Sequence, residues 1–417
     1  MNRILYKSLI YFSISILIVA LYRVEVSAQT GSTQSQPGLL VTRIIAPVSS
    51  PNANKADYVA TGKDDDRVIN QALSSLPPQG GRVLLLEGTY NLSAAVVLNS
   101  NVSLVGIENA TQLVLANNAN TVAIFNSEPV NGNQNITIEN IRILGNKAAQ
   151  NFGSGIYFRR VSSSLLSNIE VREAKNAGID LLLGSNENTL KNIRVLSNGN
   201  NGLVISDSNN NNISNLLAER NGDSGLWIVN SEQNVLSDVY TFDNKFSGIE
   251  IEASNNSLTG IISANNAHSG VYLTQASGNY IQGISHKNTF AGFALNNSRG
   301  NTLQIWAVAN GRHGIDLYNS SLNLVVNSVS RNNGTSGTGF NGINISDDGL
   351  QPSHYNMIVT SYVWDDQTSK TQEFAIKVVG AADYLVIVGN NLQGNKYGPL
   401  SAELRHNIIL NNTPPIP

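Results

Sequence analysis

Arg312, His313, Asp316 and Tyr318 put a guanidinium, an imidazole, a carboxylate and a phenol within seven residues of one another. A guanidinium pairs with a carboxylate through two parallel hydrogen bonds, and the other three groups transfer protons. The set therefore suits proton chemistry beside an anionic group of a substrate. Asp316 and Tyr318 are separated by one residue, as are Glu250 and Glu252 earlier in the chain. A strand sends both members of such a pair to one side. Two carboxylates on one side repel each other unless a cation or hydroxyl groups compensate. Calcium takes such oxygen donors but needs roughly six to eight of them, so Glu250 and Glu252 supply at most part of a Ca²⁺ site.

An internal repeat must position these residues. A glycine opens each line of it, at Gly155, Gly178, Gly202, Gly225, Gly248, Gly270, Gly292, Gly314 and Gly342, and an alternating apolar run follows each one. Successive glycines lie 22 to 24 residues apart, with a last interval of 28. Six are preceded, four residues earlier, by Asn198, Asn221, Asn244, Asn266, Asn288 and Asn310. A fixed period in this range marks a solenoid. The runs are too short for helices, and the Asn, Ser, Asp and Gly between them read as turns. Leucine-rich repeats share the period, but here Ile, Val and Leu interchange and Asn is far more frequent. Residues 130–351 contain none of the chain's 11 prolines, as strands paired on both sides require. The pattern predicts an all-β parallel β-helix of about a dozen coils, with the asparagine column stacked as a structural ladder.

In each coil the second and fourth residues after the glycine point outward. That set includes Trp227, Glu250, Glu252, Tyr272, Asn296, Asp316 and Tyr318. Trp227, Tyr272 and Tyr318 recur every second coil, roughly 10 Å apart. Aromatics at a regular rise suit stacking on sugar faces, with Glu250, Glu252, His268 and Asn296 as polar neighbours for the hydroxyls. The plainer readings are that the aromatics are good strand residues, the two glutamates solvated acids and His313 a turn histidine. A paired-carboxylate glycosidase is disfavoured, because Asp316 lies three coils, about 14 Å, from Glu250.

Arg3 and Lys7 precede an apolar run over 9–21, and Val26-Ser27-Ala28 offers a cleavage point, so residues 1–28 are expected to be a signal peptide. Its removal takes away three basic residues and one acid and moves the formal charge from -3 to -5. A secreted chain follows, extracellular or periplasmic, with no membrane contact once the signal is gone. The absence of cysteine excludes thiolate chemistry and cysteine metal sites. With 13% charged residues and no basic cluster, nucleic acid has no electrostatic footprint to bind. Residues 29–61 read as a flexible lead-in with one strand over 39–45. Asp64-Asp65-Asp66 would cap and charge a helix running through Leu73 and ending before Pro77-Pro78, and that helix would cover the open end of a solenoid over 62–410. Residues 411–417 read as a frayed tail.

Between residues 62 and 106 stand, in order, Asp64-Asp65, the helix, Gly80-Gly81, Val83-Leu84-Leu85, Gly88-Thr89-Tyr90 and Val102-Ser103-Leu104-Val105-Gly106. This order resembles the first coils of the pectate-lyase-like superfamily of right-handed parallel β-helix proteins. The group includes polygalacturonases, rhamnogalacturonan and alginate lyases, mannuronan C5-epimerases and phage tailspikes. The resemblance implies a right-handed helix and a polysaccharide partner. It also implies that His313, with Tyr272 or Tyr318, moves the C5 proton of a uronate whose carboxylate Arg312 holds, beside Asp316. Arg312-His313-Gly314 resembles a tripeptide of mannuronan epimerase coils, whereas that family's Asp-Pro-His is absent. The Asn-Thr-Asp and Gly-His-Gly of polygalacturonases are absent too. Two functions follow: a lyase or C5-epimerase on an acidic glycan, or a non-catalytic carbohydrate-binding or cell-surface β-helix using Trp227, Tyr272 and Tyr318. Neither demands a cofactor, and Ca²⁺ is the one candidate.

Overall fold

The computed structural model describes residues 41–403 and 405–414. The expected signal peptide and the start of the lead-in lie outside the described residues. From Gly155 to Ala264 a coil is a four-residue strand after the glycine, a turn, an eight-residue strand and a second turn, as in Leu203–Ser206 followed by Asn212–Glu219, and in later coils the long strand shortens and then splits in two, as Leu324–Val326 and Val329–Arg331. The short strands stack into a 13-stranded sheet, the long ones into a 20-stranded one, and Asn133–Gln134 pairs with Val161–Ser162 separately, every pairing between coils being parallel. The eight-residue strands bend at their fourth residue. Asn192, Asn215, Asp238 and Gly260 stand there, all with positive φ, a region that Asn and Asp tolerate and Gly enters freely. The bend divides the long sheet into two faces, so each coil has three sides, as expected of a right-handed parallel β-helix.

Alternation sorts the side chains as the sequence predicts. Leu226 and Ile228 are fully buried while Trp227 and Val229 face outward. In register they continue Leu203 and Ile205 of the coil before and meet Ile249 and Ile251 of the coil after, building one core from Ile45 to Leu392. The repeat glycines serve spacing, since none of Gly225, Gly248 and Gly270 has positive φ. A Cβ on Gly248 would sit 2.0 Å from Ser263 Oγ and 2.4 Å from Thr241 Oγ1. Gly248→Ala is therefore expected to cost about 1–3 kcal/mol by overpacking, read as a lower urea midpoint with an unchanged m-value. An unchanged midpoint would mean that the coils separate freely at this point.

The six asparagines form the expected ladder. Each Nδ2 donates to the next Oδ1 at 2.9–3.1 Å, from Asn198 to Asn333, and Gln372 adds a rung at 3.2 Å. A second buried ladder runs beyond the other end of the short strands, from Asn188 through Asn234 and Asn279 to Asn356. Each asparagine of both ladders also receives a backbone N–H from the preceding coil, as Asn234 does from Asn211, so the ladders pair main-chain groups of the turns as well as each other.

Three expectations at the ends need correction. The described part of the lead-in, 41–61, is not loose: Thr42–Pro47 pairs with Tyr58–Ala60 and Gly81–Leu85, and Ile45, Ala46 and Ala60 are fully buried. These apolar residues cover the first full coil, which would otherwise expose Val83 and Leu85. The helix forms over Asp65–Ser74 with Ile69, Ala72 and Leu73 buried, but Asp64 makes no side-chain cap. Asp65 and Asp66 instead accept from the N–H groups of Gly62, Asn91 and Ser93 and tie the helix to the coil beneath. Residues 411–414 are not frayed, because Asn412 is buried and accepts from Asn390 as a further rung.

Candidate active site

The outward residues of the short sheet fall on straight ladders. Trp227, Glu250, Tyr272, Ala294, Asp316 and Asn344 are register partners in successive coils. Asn296 and Tyr318 are partners on the neighbouring ladder, and Glu252 lies on the same line beside Val229. His268, Arg312 and His313 stand in the turns that lead into this face. The candidates from the sequence thus share one wall of the solenoid.

A stack along the edge of that wall was hidden in the sequence. Phe246, His268, Phe290, Arg312 and Phe340 all stand two residues before a repeat glycine. His268 lies 4.4 Å from Phe246, stacked nearly parallel to it, and 4.4 Å from Phe290. The Arg312 guanidinium carbon sits 3.8 Å from the Phe290 ring centre and 5.9 Å from that of Phe340. The signal was an aromatic recurring at one turn position, outside the alternating strand. Burial, with Arg312 adding, lowers the His268 pKa, so the ring is neutral at neutral pH, and its Nδ1 shares a hydrogen bond with Ser247 Oγ. Arg312 is gripped by its faces while its N–H edge stays available, and among the described residues no carboxylate pairs with it.

His313 occupies a turn place that holds Ser247, Ser269 and Ala291 in earlier coils. Its Nδ1 accepts the Asn341 N–H at 3.0 Å, and burial lowers its pKa, opposed by Asp316. The neutral ring then carries its proton on Nε2. So placed, His313 has its acceptor nitrogen engaged and one N–H left to donate. Asp316 accepts from Asn344 Nδ2 at 2.9 Å, and Tyr318 is exposed.

Glu250 lies between Trp227 and Tyr272 and accepts from Ser224 Oγ at 3.0 Å. Burial pushes its pKa up to about 7, with Glu252 and Asp223 adding repulsion, so it is not the solvated acid of the plainer reading. Glu252 accepts from Trp227 Nε1 at 3.3 Å. Tyr272 accepts from Asn296 Nδ2 at 3.2 Å and meets the His268 ring edge-on at 5.3 Å. The Asn296 Oδ1 is buried without a partner. Asp180, three coils before Glu250 on the same ladder, is buried against Ser154 Oγ, and that burial raises its pKa to about 6. Near neutrality this face therefore carries less negative charge than its acids suggest.

Because the folded state holds the Glu250 proton from pH 4.5 up to about 7, that stabilisation is complete below pH 4.5 and is lost as pH rises through 7. Glu250→Gln should thus gain on the wild type between pH 4.5 and pH 8 by on the order of 1 kcal/mol, after allowance for partial solvent access. Thermal melts at both pH values measure this, and parallel slopes for the two proteins would contradict a buried carboxyl.

Residues 53–266 match the family described as "Rhamnogalacturonase A/epimerase, pectate lyase-like", and residues 237–413 match "Periplasmic copper-binding protein (NosD)". No curated protein matches in sequence. Among solved structures, the Azotobacter vinelandii mannuronan C-5 epimerase AlgE4 A-module aligns at TM-score 0.67 and 17% identity, covering 84% of this chain and 97% of that one. The AlgE6 A-module of the same organism gives 0.63 at 17% identity, with 86% and 97% covered. The pre-mature bacteriophage phi29 gene product 12 gives 0.64 at 16%, with 85% and 55% covered. These likenesses show the fold. Copper favours clustered imidazole and sulfur donors, and among the described residues no three of His, Cys, Asp or Glu are grouped to hold a metal ion. Neither copper nor a Ca²⁺ site at Glu250 and Glu252 fits that donor set. No helix among the described residues is long and apolar enough to cross a membrane. With the match over 53–266 spanning just over half of the 417 residues, on a right-handed parallel β-helix, the chain belongs to the rhamnogalacturonase A/epimerase, pectate-lyase-like family.

Proposed function

We propose that this face acts on a uronate-containing polysaccharide as a lyase or a C5-epimerase. The observation that carries the reading is the setting of Tyr272: Glu250 is one coil before it, His268 lies against its edge, Asn296 donates to its oxygen, and the unpaired Arg312 guanidinium stands two coils on. Both reactions begin by removing the proton on C5, beside the uronate carboxylate. Arg312 would bind that carboxylate through its free edge and draw its charge away from C5. Tyr272, after giving its own proton to solvent, would take the C5 proton as a phenolate that the Asn296 N–H stabilises, and so return to the phenol. In elimination the C5–H electron pair becomes the C4–C5 double bond and the C4–O bond breaks, with protonated Glu250 supplying a proton to the leaving oxygen. In epimerisation the C4–O bond stays intact and the C5 electron pair takes a proton from water on the opposite face. The raised pKa values of Glu250 and Asp180 reduce the repulsion that a polyanion would meet.

A binding protein without chemistry is the second reading, favoured by His313, whose Nδ1 is taken by Asn341. The two are separated by incubating the purified chain with alginate, pectate and rhamnogalacturonan while following the ultraviolet absorbance of the unsaturated product. A rise means lysis and identifies the glycan. A flat trace with altered C5 configuration means epimerisation, and glycan bound without either change means the binding protein.

A further inference from the structure

Arginines from three neighbouring coils meet on the second half of the long strands, although the sequence holds no basic run. Arg142, Glu170 and Arg194 are register partners on one outward column, and Arg172 follows Leu144 on the column beside it. Glu170 is 13% exposed and spends both oxygens inside the group, Oε1 on Arg172 Nη2 at 2.8 Å and Oε2 on Arg194 Nε at 3.1 Å. The Arg142 guanidinium bonds the neutral Asn109 Oδ1 at 2.9 Å, and among the described residues no carboxylate pairs with it. Glu173, next to Arg172 in the chain, is held by Lys147 at 3.4 Å. Three guanidiniums thus share one carboxylate, on a chain whose formal charge is -3. Strand formation does not ask for them, since the same column continues as Leu217, Tyr240 and Ile262.

Gln112, Arg142, Leu144, Glu170 and Arg172 line a depression of about 210 Å³ here, the volume of about seven waters. A single inorganic oxyanion would leave most of it unfilled. The main chain beneath is paired on both sides, Ile143 and Leu144 with Leu113 and Val114 on one and with Val171 and Arg172 on the other, so a peptide finds no strand edge to extend. Recognition is left to side chains: two guanidinium edges for a carboxylate, the Gln112 amide for a hydroxyl and Leu144 for the apolar face of a ring. A carboxylate carried on a sugar ring meets all three. The depression belongs to the long sheet, and the turn after Arg172 lies six coils, about 29 Å along the axis, from the turn that carries Arg312.

We infer that this depression is a second, non-catalytic site for a uronate, whose carboxylate Arg142 and Arg172 hold; the inference takes its ligand class from the uronan reading and its geometry from these residues alone. Engaging both sites holds a long uronan more firmly than either does. Titration calorimetry of the full chain carrying Arg312→Ala, with tetramers of galacturonate and of mannuronate, is expected to show binding at the depression. Adding Arg142→Ala with Arg172→Ala should weaken it roughly 10- to 100-fold, the share of charge-assisted hydrogen bonds. Gln112→Glu, which sets a carboxylate into the depression, should weaken it independently. Arg142 is exposed and Arg172 half exposed, so the fold should persist, as circular dichroism and melting check. No binding of either tetramer overturns the inference, as does an affinity that both folded variants leave unchanged. Equal binding of the methyl-esterified galacturonate tetramer overturns it too, because the guanidiniums would then hold no carboxylate. A wild type that leaves the C5 proton in place sinks the uronan chemistry alone: the depression stands as a uronate site if the tetramer still binds and the arginine pair still governs it.

Discussion

Tyr272→Phe is expected to lower uronan turnover by roughly 10²–10⁴-fold, the contribution of one positioned acid-base group, while the variant still binds the glycan. Phenylalanine keeps the ring, its edge contact with His268 at 5.3 Å and its place between Glu250 and Ala294, so only the hydroxyl and its hydrogen bond from Asn296 are lost. The loss should fall on kcat, with KM little changed, because the hydroxyl acts on the C5 proton and not on the carboxylate. Arg312 serves as the contrast: its removal should raise KM. Turnover that survives Tyr272→Phe within tenfold would remove Tyr272 from the chemistry, whatever the glycan.

The largest structural effect is expected at the centre of the first asparagine ladder. Asn244 donates to Ala218 O at 3.1 Å and to Asn266 Oδ1 at 3.0 Å, and its Oδ1 accepts both the N–H and the Nδ2 of Asn221 at 3.0 Å. Asn244→Ala strands several buried partners at once. At about 1–3 kcal/mol for each unpaired group, a total near 3–6 kcal/mol is expected from urea unfolding. The exposed corner ladder provides the comparison. Asn192 bonds Asn168 and Asn215 at the bend, where water can replace either partner and Gly260 later fills the same place. Asn192→Gly should cost no more than about 1 kcal/mol. Equal losses at the two sites would mean that burying the ladder adds nothing to the strength of its amide bonds.

The sequence carried the coil, its inward and outward sides, the first asparagine ladder and the capping helix, because all of these repeat along the chain at fixed offsets from a glycine. It did not carry relations between turns. Phe246, His268, Phe290, Arg312 and Phe340 also keep one offset, two residues before a glycine, but they lie in turns outside the alternating strands, and their contact exists only once the coils are stacked. The second ladder, starting at Asn188, escaped for the same reason, hidden among many asparagines that serve as turn residues. His313 was expected to move a proton or to be a plain turn histidine, and the Asn341 N–H that occupies its Nδ1, coming from the next coil 28 residues on, is not visible among its sequence neighbours. The raised pKa of Glu250 follows from burial, which alternation alone does not quantify. A lead-in strand over 39–45 was legible and forms as Thr42–Pro47, but its role in covering the core end was not, because that depends on the coil beneath it.

The central claim is that this face removes the C5 proton of a bound uronate. Proton magnetic resonance of the uronan incubated with the chain in deuterated water tests it most directly. The C5 proton signal should disappear with the wild type, through elimination or replacement by deuterium, and persist with Tyr272→Phe. A glycan that binds to this face while its C5 proton remains untouched would contradict the claim and leave a carbohydrate-binding protein.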